Sequence, residues 1–145
     1  MIELKLIDKI IVIPGYNRFL LTKEYRPKIV TIKIPKELLT NDLNNSKVFL
    51  VSQLNENEVK SETLEILHEE NDYILYKWDI TNEHTFEEGK LTIQIRILRT
   101  ESSKEETTED EIDSSFLKPF GTDAEGVWYS YQNYFRVLKS LQPLI

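Results

Sequence analysis

The sequence predicts an all-β protein: an antiparallel β-sandwich, immunoglobulin-like or jelly-roll-like, with one long acidic loop. Three observations predict it. Apolar residues recur with a period of two in short runs bounded by turn-forming residues. No segment keeps helical spacing for long. The chain of 145 residues is the length of one domain, and its 40% hydrophobic content supplies a core without cross-links.

The elements follow in order. Residues 2–13 read as a strand of mixed period, ended by a turn at Pro14, Gly15 and Asn17. Val30, Ile32 and Ile34 alternate with Thr31 and Lys33. Residues 35–43 begin with proline and read as a single helical turn. Val48, Leu50 and Leu54 alternate with Phe49, Val51 and Gln53, and Leu64 and Ile66 flank Glu65. Ile74, Tyr76, Trp78 and Ile80 alternate with Leu75, Lys77 and Asp79. Residues 81–88 read as a short helix or a loop. Leu91, Ile93, Ile95 and Ile97 alternate with Thr92, Gln94 and Arg96. Residues 127–138 read as one last, strongly aromatic strand. In each run one set of side chains is expected on the core, Trp78 among them, and the other toward water. About seven strands at this spacing, with no repeat and no linker, make residues 1–145 a single sandwich domain.

The net charge is −7, and it is unevenly spread. Residues 101–115 carry seven acids and one lysine, a local charge of −6 that leaves the remainder near −1. This stretch reads as a solvated, mobile loop within the domain. An acidic chain is a poor match for nucleic acid or an anionic lipid surface, so neither is an expected partner. No apolar run is long enough to span a membrane as a helix.

Catalytic chemistry finds little to use. The sequence has no cysteine, which excludes thiolate nucleophiles, thiolate metal sites and disulfides. His68 and His84 lie in separate polar stretches without metal-ligand spacing, and both read as surface residues. The acidic run Glu109-Asp110-Glu111 with Asp113 lacks the ligand spacing and glycine of a calcium loop. Gly15, Gly89, Gly121 and Gly126 are scattered and form no phosphate cradle. The expectation is a protein that is not an enzyme and holds no cofactor or metal.

Aromatic and apolar residues are the better candidates for function. Trp128, Tyr129, Tyr131 and Tyr134 are too many for one face of one strand, so some are expected on its outer face. With Phe116, Leu117 and Phe120 they are the candidate interface residues, because aromatic side chains are enriched where proteins bind one another.

The serial order of motifs resembles a known family. A strand ending in Ile34-Pro35 leads through Asp42-Leu43 to a second strand ending at Leu54. Then come Tyr73-Ile74-Leu75-Tyr76-Lys77-Trp78 and Gly89-Lys90-Leu91-Thr92-Ile93-Gln94-Ile95, and finally Trp128 with Phe135, Val137 and Leu141. Over residues 28–141 this is similar to a β-sandwich domain of virion structural proteins in phages of low-GC Gram-positive bacteria, in particular the N-terminal domain of upper baseplate proteins. The acidic insert at 101–115 departs from that pattern. The resemblance implies a non-enzymatic bacteriophage virion protein, assembled in the bacterial host cytoplasm. It would be a baseplate or tail attachment module or a capsid decoration protein. Its partners would be other virion proteins (baseplate, tail or major capsid protein) in a symmetric assembly of many copies. The alternative is a carbohydrate-binding module that recognises host-surface glycans through exposed aromatics.

Overall fold

Two mixed sheets pack face to face in the computed structural model, which describes residues 2–22, 27–39, 46–99 and 127–140. The strands are β1 (Ile2–Ile7), β2 (Ile10–Val12), β3 (Phe19–Leu21), β4 (Lys28–Pro35), β5 (Ser46–Leu54) and β6 (Lys60–Thr63). They continue with β7 (Glu65–Glu69), β8 (Tyr73–Ile80), β9 (Gly89–Arg99), β10 (Val127–Tyr129) and β11 (Asn133–Leu138). One sheet has the order β2-β1-β4-β8-β7 and the other β3-β11-β9-β5-β6, with β10 also paired to β9. The expected sandwich is therefore what forms. Two pairings, β1 with β4 and β11 with β3, are parallel, and the rest among the described strands are antiparallel.

The period of two builds the core. Leu4 and Leu6 of β1, Val30, Ile32 and Ile34 of β4, and Ile74, Tyr76, Trp78 and Ile80 of β8 line the inner face of the first sheet. Val48 and Leu50 of β5, the four odd-numbered apolar residues of β9 from Leu91 to Ile97, and Phe135 and Val137 of β11 line the second.

Several expectations are corrected. Residues 2–13 form a hairpin, not one strand, because Asp8 takes a left-handed conformation (φ 51°) that aspartate tolerates and a tight turn needs. The short strand β3 carries no alternation long enough to read. Leu64 is a crossing point: it is buried, its N–H donates to the Val48 carbonyl (2.8 Å), and the chain passes there from β6 in one sheet to β7 in the other. Ile66 consequently faces solvent. Two other expectations hold: residues 81–88 form turns, the loop of the two alternatives, and the helical turn after Pro35 is a 3-10 turn at Lys36–Leu38, with residues 40–43 outside those described.

The face of β5 and β9 expected to meet water is itself buried. Phe49, Leu98 and Val127 form a second apolar cluster there. Gln94 and Arg96 are fully buried beside it: the Gln94 amide donates to the Ser130 carbonyl (2.8 Å), and the Arg96 guanidinium lies 5.1 Å from the Tyr129 ring centre. The acidic stretch 101–115 lies outside the described residues.

Candidate interaction surfaces

The last aromatic stretch is two strands with a break between them. Ser130 makes the break: its N–H donates to the Ile95 carbonyl (2.9 Å), and its hydroxyl accepts from the Ile95 N–H (2.9 Å). The Tyr131 N–H then turns away from the ladder and donates to the Lys9 carbonyl (2.7 Å) at the tip of the β1–β2 hairpin. Lys9 returns the contact, its ammonium donating to the Tyr129 carbonyl (3.1 Å) and lying 5.4 Å from the Trp128 ring centre. The Asn133 amide donates to the Ile11 carbonyl (2.6 Å). The hairpin is thus clasped to the β10–β11 connection, and the two sheets are joined at that end.

This arrangement sorts the candidate aromatics. Trp128 is buried in the main core and Tyr129 is buried on the opposite face of the same short strand. Tyr131 and Tyr134 keep ring surface in solvent. The Tyr134 ring has two cations near it, with the Arg18 guanidinium 5.0 Å and the Lys90 ammonium 4.6 Å from its centre. Arg18 also donates to the Tyr134 carbonyl (2.8 Å) and to Asn133 Oδ1 (3.1 Å). Phe116, Leu117 and Phe120 lie outside the described residues.

Beside Tyr134 the edge of the second sheet exposes a strip that sequence reading missed. β3 is the edge strand, and its parallel register sets Leu21 next to Leu138 and Phe19 next to Arg136. Leu20 and Val137 point into the core, so their neighbours point out: Phe19 is 54% exposed, Leu21 42% and Leu138 44%. Tyr16, three residues before Phe19, is 84% exposed. The available signal was the run Phe19-Leu20-Leu21, too short to separate an inner from an outer face.

At the other end of the core, His84 corrects the expectation of a surface histidine: it is only 2% exposed. His68 is exposed, as expected. The Thr81 N–H donates to His84 Nδ1 (2.9 Å), which leaves the ring proton on Nε2 to be donated to Glu62 Oε2 (2.7 Å). The Trp78 Nε1–H donates to the same oxygen (2.8 Å), and the Trp78 and His84 rings meet edge to face at 5.2 Å. Burial pushes the Glu62 carboxyl up. The hydrogen bonds from His84 and Trp78 and the Lys60 charge outweigh it and hold Glu62 below its ordinary value. A buried imidazole donating to a carboxylate that also accepts from an indole is a structural bridge between sheets; the Thr81 hydroxyl lies 3.3 Å from His84 Nδ1, the atom that already accepts the Thr81 N–H. Among the described residues no three of His, Asp and Glu converge as metal ligands.

Strand order, layering and the buried inner faces define the protein as an all-β sandwich. No protein-family model matches the chain, and no curated protein matches it. Among solved structures it is similar to the N-terminal domain of phage TP901-1 ORF48, with a TM-score of 0.49 and 11% identity over 94% of each chain.

Proposed function

We propose that this protein is a non-enzymatic structural component of a bacteriophage virion and works through protein–protein contacts in a multi-copy assembly. The observation that carries the contact reading is the strip Phe19, Leu21 and Leu138 on the open edge of the second sheet, with Tyr16 nearby. Neighbouring apolar side chains on a solvent-facing edge mark a binding surface, and an edge strand invites pairing unless something covers it. The phage setting is supported by the motif order over residues 28–141. Within that setting the favoured place is the baseplate or tail, with capsid decoration as the second possibility. Many weak contacts at fixed spacing reinforce one another, so a modest strip suffices in a symmetric particle.

The glycan-binding alternative draws no support from Trp128 and Tyr129, whose rings are buried. It would have to use Tyr131 and Tyr134, and Tyr134 already has Arg18 and Lys90 near its ring.

The test is to add the purified chain to phage particles assembled without it and to measure stoichiometry by sedimentation and light scattering. Saturable binding at a fixed copy number, lost in a Phe19→Asp, Leu21→Asp variant of unchanged Tm, is the expected result. A chain that ignores such particles and binds purified cell-wall glycan would replace this reading with the alternative.

A further inference from the structure

The outer face of the first sheet carries a trough of about 440 Å³ that none of the contacts above uses. It crosses the sheet near its middle. One wall is Val12 and Pro14, where the chain leaves β2. The other is Leu67, lifted by a bulge in β7 between Ile66 and His68. Leu75 and Thr31 lie between them, and Thr31 is buried although it sits on the outer face of the central strand β4. The trough is thus a concavity built by the two raised edges.

Its charges are placed unusually. Lys5 of β1 and Lys33 of β4 are direct partners in the parallel ladder, on the same face, with backbones about 4.8 Å apart. Like charges directly opposite one another destabilise a sheet. Among the described residues neither lysine makes an ion pair. Lys33 instead rests its ammonium 4.2 Å from the centre of the Tyr73 ring, which also lines the trough. Glu3, two residues from Lys5 on the same face, reduces the local charge to about +1.

We propose that this trough is a binding site for an amphipathic anion, a carboxylate or phosphate monoester on an apolar body. The anionic head lies between the Lys5 and Lys33 ammonium groups and relieves their repulsion. The body lies along Leu75 toward Leu67 on one side or Val12 on the other. The volume is within the roughly 300–1,000 Å³ of small-molecule sites. The Glu3 carboxylate disfavours a second negative charge, which favours the carboxylate over the phosphate monoester, whose charge approaches two at neutral pH. This site is on the opposite sheet from the contact strip, so it stands or falls independently of the assembly reading.

The experiment is a ¹⁵N–¹H NMR titration of the full chain with octanoate, octanamide, octyl phosphate and inorganic phosphate. Octanoate or octyl phosphate should give saturable shifts at the amides of Lys5, Val12, Lys33 and Leu75, with a Kd of about 1 mM or tighter. Which of the two binds more tightly assigns the head group. Octanamide and inorganic phosphate should each bind about tenfold more weakly or not at all, since one lacks the charge and the other the body. Lys5→Gln should weaken octanoate about tenfold while leaving the Tm of the free protein unchanged or higher, because it removes the like-charge pair. The proposal is overturned if neither amphiphile saturates, if octanamide binds as well as octanoate, or if Lys5→Gln binds as the wild type does.

Discussion

Single residues set the turns and the sheet contacts. Asn55 takes a left-handed backbone (φ 51°), and its side chain fills the space beside the start of β9. Its Oδ1 accepts from the Lys90 N–H (2.9 Å), and its amide donates to the Glu88 carbonyl (2.8 Å) and to Glu87 Oε1 (2.9 Å). Gly89 has a φ of +140°, and a Cβ there would stand 1.9 Å from Asn55 Oδ1. Gly89→Ala should therefore cost about 1–3 kcal/mol, read from urea unfolding, and the strained φ is charged even if Asn55 swings away. Trp78 is the largest apolar side chain on the inner face of β8 and gives its indole N–H to Glu62. Trp78→Ala should cost about 3–5 kcal/mol in the same assay, and a loss below about 1 kcal/mol would contradict its place in the core.

At the scale of elements, alternation made the long strands legible and left the short ones obscure. β4, β8 and β9 are eight to eleven residues long, and each lies where the alternation at residues 30–34, 74–80 and 91–97 indicates. β2, β3 and β10 have three residues each, too few for a period to register. The break at Ser130 was hidden because a serine among tyrosines reads as an ordinary outward residue. It is a break because its hydroxyl takes a ladder position. His84 was misread for a related reason: its neighbours Asn82 and Glu83 are exposed, and only the fold brings Glu62 under it. The contact strip depends on β3 standing at an edge, which is a fact of sheet order. The Phe19→Asp, Leu21→Asp variant isolates that element, since both side chains point away from the core and fold and attachment can be scored separately.

At the scale of the molecule, the two sheets are joined at opposite ends by polar links, the hairpin clasp at Lys9 and Asn133 and the Glu62 bridge. The bridge makes stability depend on acid. The Glu62 carboxyl is held below its ordinary value of 4.5, so its contribution is complete above about that pH and is lost as pH falls through the lowered folded value. Melting curves from pH 7 to pH 3 should therefore fall more steeply in the wild type than in Glu62→Gln, which has no charge to lose. Equal slopes would show that other carboxylates set the acid limb. The parallel pairing of β3 with β11 has a consequence in time. The hydrogen bonds that hold this corner join residues 115 to 118 positions apart, as between Arg18 and Asn133 and between Ser140 and Thr22. Contacts of such separation are slow to form, because a long loop of chain must close first. On the ribosome β3 emerges early, and among the described strands it has no pairing partner until β11 has been made. Throughout that interval Phe19 and Leu21 are carried on an unpaired strand, so synthesis itself is the period in which this chain is most open to premature association.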